Sequence, residues 1–254
     1  MANPRGTFTL FKRETMRFLK VYMQTIFAPV VNNLLYFAVF GFSLHRAIPS
    51  IQGITYLQFM VPGLIIMGLV NNAYQNPSSS IILMKYQGII GDLLSIPLKR
   101  SEIFLAFIAS AVIRSFIVGG VTFLTALFFI SFPYTSIPII LISAFLVALF
   151  FSFLGLFVGI WAKEFDNQAF IQTFIIMPLT FLGGVFYPIT SLPAAMATVA
   201  KFDPIVHMIN LLRYGFTGLQ EIPISLSLIV LASITIFMGL ISFIALRTGW
   251  KLQN

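Results

Sequence analysis

Apolar stretches long enough to cross a bilayer recur along the whole chain, separated by short polar or proline-bearing breaks. They predict six spans, at 21–44, 56–80, 103–130, 137–161, 168–190 and 223–246, because about 20 helical residues cover a hydrocarbon core of roughly 30 Å. The predicted fold class is an all-α polytopic membrane protein. Ahead of the first span, residues 1–20 contain RGTFTLFKRETMRFLK, in which Phe8, Phe11, Thr15, Phe18 and Leu19 share one helical arc and Arg13, Arg17 and Lys20 lie opposite. That pattern predicts a helix in the cytoplasmic interface, serving either as a plain positive anchor or as a docking element.

Two breaks have their own pattern. In 81–102, IILMKYQGIIGDLLSIPLKRSE, the residues Ile89, Leu93 and Ile96 recur at helical spacing with Ile90 and Leu94 beside them, and Pro97 stops the run. Either a short amphipathic helix under the membrane or a simple interfacial turn fits. In 181–193, FLGGVFYPITSLP, the fifth apolar run meets Gly183, Gly184, Phe186, Tyr187 and Pro188. Beyond it, Ser191 and Pro193 start a short helix to about Ala200, and Asp203 followed by Pro204 starts a second, to Phe216. At 1.5 Å per residue the second is about 20 Å long, too short to cross. It carries His207, Asn210 and Arg213 as a polar stripe opposite Ile205, Ile209 and Leu212, a face expected to want water, headgroups or other protein.

Composition and charge sharpen this picture. Of 254 residues, 59% are hydrophobic and 9% charged, with mean hydropathy +0.98, whereas soluble domains carry about 25% charged residues. With the N-terminus inside, the inner segments hold Arg5, Lys12, Arg13, Arg17, Lys20, Lys85, Lys99, Arg100, Lys163, Arg247 and Lys251, against Arg46, Lys201 and Arg213 outside. This bias predicts cytoplasmic termini; a seventh span over 191–222 would put the tail on the wrong side. The net charge of +8 is accounted for by topology and lipid headgroups rather than nucleic acid. Zero cysteines exclude disulfides and thiolate metal sites.

Candidate chemistry is sparse. No HExxH or GxSxG occurs, His45 and His207 both fall in outer segments, and Asp92 and Asp203 are predicted on opposite sides, so no catalytic or metal-ligating set is expected. Arg114 lies inside the third span, where an unpaired arginine costs roughly 2.5–3.5 kcal/mol on insertion scales. Backbone carbonyls, cavity water or a phosphate are its expected partners. Two readings stand, a structural or snorkelling role and a place on a substrate path with Asn71, Asn72 and Gln75. Asn32, Asn33, Gln168 and Gln172, like those amides, fit hydrogen bonds between helices, and Gly155 with Gly159 a tight helix contact.

The order YLQFMVPGLIIMGLV, NPSSSIILMKYQGIIGDLLSIPLKRSEIFLA, FLGGVFYPITSLP and FDPIVHMINLLRYGFTG resembles the permease subunit of type-2 ABC transporters, the bacterial polysaccharide and drug exporter family. The resemblance covers nearly the whole chain and implies a six-span domain over 21–250, a tail at 251–254, and cytoplasmic ends in the bacterial inner membrane. It implies that Gly88, Ile89, Asp92, Leu93, Leu94, Pro97, Lys99 and Arg100 form a coupling helix and its flank. It also makes 191–222 a re-entrant pair that, with Gly183 to Pro188, closes the outer gate. The family's loop usually has an acidic residue near Lys85 and Thr-Leu-Glu after the glycine; here Gly88-Ile89-Ile90-Gly91-Asp92 stands instead. No GxxxxGK[ST] loop is present, so ATP and Mg are expected on a partner ATPase in two copies, with a second permease copy completing the assembly. The implied activity is ATP-driven export of an amphipathic, lipid-linked or drug-like molecule; a stand-alone secondary transporter or channel is the other reading.

Overall fold

The computed structural model describes residues 3–39 and 50–252. The end of the first predicted span (40–44), Arg46, His45 and the last two tail residues lie outside the described residues. The chain is mostly helical (79%), with one two-stranded hairpin, Ser50–Ile51 against Ile54–Thr55. Among the described residues four helices are long and apolar enough to cross a membrane: α3 (Tyr56–Tyr86), α5 (Arg100–Leu127), α6 (Ile137–Trp161) and α11 (Ile224–Thr248). Around them lie α1 (Pro4–Leu19), α2 (Ala28–Tyr36), α4 (Ile90–Ser95), α7 (Phe165–Ile171), α8 (Met177–Leu182), α9 (Ala194–Ala200) and α10 (Pro204–Thr217).

α3 is the central post and the most enclosed of the four long helices. Thr55 starts it with a capping box, its hydroxyl accepting from Gln58 N while Gln58 accepts from Thr55 N. It runs six residues beyond the predicted end at 80, because IILMKY continues the apolar helix and the stop comes only where Gly88 takes φ +73°. The linking segment thus shrinks from 81–102 to 87–99. α5 begins at Arg100 rather than 103 because the Glu102 carboxylate accepts from the amides of Lys99 (2.7 Å) and Asn3 (2.6 Å).

The fifth apolar run is not the continuous helix expected over 168–190. It is α7, a wide π-helical turn at Gln172–Ile176, and α8, which ends at Leu182. A second wide turn, Met23–Phe27, precedes α2. Each turn lies just ahead of a proline, Pro29 or Pro178, whose ring and missing N–H do not fit the regular ladder, and the wide turn absorbs the mismatch.

α1 also differs from its predicted arc. Its buried positions are Leu10, Glu14 and Phe18, while Phe8 is 62% exposed. The helix packs along α5, and a carboxylate is admitted to the buried face because Arg13, Arg17 and Ser80 surround it. The core has two main parts. One joins α3, α6 and α10; the other gathers Leu10, Met84, Ile90, Leu93, Ile103, Leu246 and Leu252 at the opposite, α4 end of the bundle.

α3 and α6 touch backbone to backbone. A Cβ on Gly155 would sit 2.2 Å from the Tyr74 carbonyl oxygen, and one on Gly159 would sit 2.9 Å from Ser78 Cα. Gly155→Ala should therefore destabilise by about 1–3 kcal/mol. The apparent unfolding temperature of the detergent-solubilised protein should fall, with Gly120→Ala unchanged because nothing lies within 4 Å of that Cβ.

Candidate functional site

The sequence-predicted residues form three groups. The first is α4. Gly88 adopts the left-handed conformation that turns the chain out of α3, and Ile96 is extended (ψ 142°) ahead of Pro97, which ends α4 at Ser95. Ile90 and Leu93 are buried in the α4-end core, and Leu94 is half-buried. Ile89 (38% exposed) and Ile96 (40%) face outward with Asp92, Pro97 and Lys99, while Arg100 is half-buried. The helix is pinned on one face and presents a small apolar ridge on the other. Lys85 turns away from that ridge and donates to the Ile160 and Ala162 carbonyls at the end of α6, where a cation suits the exposed carbonyl dipoles.

The second group is a polar cleft of about 340 Å³ between α2, α3, α5 and the π-helical turn before α8. Arg114, Asn71, Asn72 and Gln75 all line it, together with Gln24, Asn32 and Gln172. Gln172 bridges Asn71 (3.2 Å) and Gln75 (3.1 Å). Arg114 is held by side-chain amides and not by backbone carbonyls: Nε donates to Asn72 Oδ1 (3.1 Å) and Nη1 to Asn76 Oδ1 (3.4 Å).

Asn76, Glu14 and Arg17 join this group although sequence reasoning passed over them. Arg17 Nη2 donates to the Asn76 carbonyl (2.6 Å) and to Asn76 Oδ1 (3.1 Å). Glu14 accepts from Arg13 (2.9 Å), Arg17 (3.2 Å) and the Ser80 hydroxyl (2.6 Å). The signal for Glu14 was its spacing of four from both Leu10 and Phe18, which places a carboxylate on the apolar face of α1.

The third group lies at the other end of the bundle. Gly183 lets α8 approach Ile205 and Ile209, and Gly184 turns the chain at φ +82°. Arg213 is 2% exposed. It donates to Gly184 O (2.6 Å), Phe59 O (3.2 Å) and Glu221 Oε1 (3.0 Å), with its guanidinium carbon 3.6 Å from the Phe59 ring centroid. Glu221 also accepts from Ile189 N (2.6 Å). Phe186 and Tyr187 hold the loop through Tyr56 donating to Phe186 O and Tyr187 donating to Phe181 O.

Of the partners expected for the polar stripe of α10, the structure supplies protein. The returning loop docks on it: Asn210 Oδ1 accepts from Glu221 N and Ile222 N, and its Nδ2 donates to Ile222 O. These loop amides would otherwise be buried unpaired. His207 bonds Ser227 and Lys201 O. Asp203 caps Ile205 N ahead of Pro204; its other oxygen is buried without a partner, and burial pushes the carboxyl up to about 6.

Four membrane-length apolar helices among the described residues, two of which (α3 and α5) line a polar cleft with the interrupted segments, make this a polytopic helical membrane protein. The chain belongs to the ABC-2 type transporter family, which it matches over residues 5–217, and is a membrane transport permease of that family. It is 35% identical to the Inner membrane transport permease YadH of Escherichia coli K12 over 246 residues, 97% of this chain and 96% of that one. It is 25% identical to Nodulation protein J of Rhizobium leguminosarum bv. viciae over 244 residues, 94% and 92% of the two chains. Nodulation protein J of Rhizobium meliloti is 24% identical over 218 residues, 84% and 81% of the two chains.

Breaking the buried Arg213–Glu221 pair leaves an uncompensated charge, so Glu221→Gln should cost about 3–5 kcal/mol. In the double variant Arg213→Met/Glu221→Leu the loss should fall short of the sum of the singles by at least ~1 kcal/mol, read from denaturant unfolding in micelles.

Proposed function

We propose that this chain is the membrane-spanning subunit of an ATP-driven exporter of the bacterial cytoplasmic membrane. Six crossings are made by the segment from Met23 to Val39, α3, α5, α6, the α7–α8 unit and α11. The bias of eleven inner against three outer basic residues sets both termini and α4 on the cytoplasmic side. α1 then lies at the inner interface, and α9 and α10 dip back into the outer leaflet without crossing. Non-helical backbone between Gly183 and Ile189 is tolerated at that depth because Arg213, Tyr56 and Glu221 bond its polar groups.

The observation that carries the reading is α4. A six-residue helix anchored by Ile90 and Leu93, with Ile89, Ile96 and Pro97 facing outward beside Lys99, has the form of a rigid handle for another subunit. In this account two ATPase subunits, which bind ATP and Mg, push α4 of two permease copies, and the clefts switch between inward and outward access. Exposed apolar residues along both interrupted segments, Phe27, Val31, Leu35, Phe170, Phe174 and Met177 among them, support a second copy packed beside the cleft. The cargo is an amphipathic, lipid-linked or drug-like molecule. A stand-alone secondary transporter or channel would use the same cleft but leaves the ridge on α4 without a role.

The full-length chain affinity-purified from its own membranes should carry ATPase activity. Ile89→Asp/Ile96→Asp, at exposed positions, should cut the co-purified activity at least tenfold at unchanged permease yield; undiminished activity would refute α4 as the contact.

A further inference from the structure

Arg114 has no carboxylate partner among the described residues. Of the acidic side chains, Glu14 is taken by Arg13 and Arg17, Glu221 by Arg213, and Glu102 caps α5; Asp92, Glu164, Asp166 and Asp203 lie in or beside the breaks between long helices. Two of the five guanidinium donors of Arg114 are used, both on neutral amides, which leaves three. Asn76 Oδ1 accepts from Arg114 and from Arg17 together, so two cations converge on one uncharged oxygen. Glu14 is shared by Arg13 and Arg17, so the cations that meet at Asn76, beside the cleft, outnumber the one carboxylate near them. Among the described residues no acidic side chain lines the cleft.

The lining is also graded. From Gln75 through Asn72 and Asn71 it is amide; towards Met67, Leu64 and Met177 it becomes apolar. Along α3, Leu64 to Gln75 covers about 16 Å at 1.5 Å per residue. A volume of about 340 Å³ takes a headgroup and the first part of a tail, near the lower limit of ligand pockets.

We propose that this cleft binds the anionic, phosphate-bearing headgroup of an amphiphile, with the phosphate on Arg114 and the tail leaving along Met67 and Leu64. A guanidinium fork matches two phosphate oxygens, and the neighbouring amides supply further donors. Cationic amphiphiles are excluded by the same charge. As a statement about cargo this rests on reading the cleft as the transport path, while the binding itself needs neither ATPase nor nucleotide.

The test uses the full-length chain in a non-ionic detergent without ATPase, titrated calorimetrically with dihexanoyl phosphatidic acid, dihexanoyl phosphatidylcholine and inorganic phosphate. Phosphatidic acid should bind at least tenfold more tightly than phosphatidylcholine, and inorganic phosphate more weakly than phosphatidic acid. Arg114→Gln should erase the preference. So should Asn72→Asp, which keeps the arginine and gives it a carboxylate, so that a poorly folded Arg114→Gln protein does not leave the matter open. Equal affinity for the two lipids, or a preference that survives both variants, overturns the proposal. Inorganic phosphate binding as tightly as phosphatidic acid overturns the amphiphile in favour of free phosphate. Loss of ATPase association with lipid binding intact would instead count against the exporter reading alone.

Discussion

Two buried charges, Arg213 and Glu14, and the half-buried Arg114 of the cleft are all answered from α3. At one end of that helix Phe59 gives its carbonyl and ring face to Arg213; in the middle Asn72 and Asn76 hold Arg114; at the other end Ser80 donates to Glu14. A buried charge without partners costs several kcal/mol, so each contact fixes the element that carries the charge: α10, α5 and α1 in turn. The remaining face of α3 is closed by α6, whose glycines at 155 and 159 admit the backbone at Tyr74 and Ser78. A helix polar on one side and in van der Waals contact at the backbone on the other has little freedom to rotate, and it is the fixed element on which movement elsewhere can be built.

The walls of the cleft hold the least regular backbone of the bundle. Both π-helical turns contribute lining residues, Gln24 from the first and Gln172 from the second. A wide turn beside a proline has a weaker backbone ladder than the regular helix around it, so the two interrupted segments are the places where the bundle yields with least loss. α4 sits at the opposite extreme, pinned by Ile90 and Leu93 to the core that also holds Met84 at the end of α3 and Ile103 at the start of α5. Force applied to α4 is thus delivered to the helices that carry Asn72, Asn76 and Arg114.

Much of this was legible in the sequence where a local rule decides. α6 occupies 137–161 as hydropathy predicted, Pro97 sets the end of α4, and Asp203 with Pro204 starts α10. Arg114 stood out by its charge at span depth, and the structure sets it on one cleft with Asn71, Asn72 and Gln75. Partner choice was not legible. Hydropathy leaves Arg213, Asn210 and His207 open to water, headgroups or protein, because it cannot see that Glu221 and the loop amides fold back over them. It passed over Glu14 because a charged residue among basic neighbours reads as surface, although its partners Ser80 and Arg17 bury it. The break at 172–176 was hidden because an apolar run looks the same whether its turns are regular or wide.

In the proposed function ATP works the cleft through α4, and transport itself measures that step. In proteoliposomes holding the permease and its ATPase, movement of an anionic fluorescent amphiphile between leaflets should require ATP hydrolysis and persist when ionophores collapse all ion gradients. Movement that follows an imposed ion gradient and is indifferent to ATP would contradict the account and leave the secondary-transporter reading in its place.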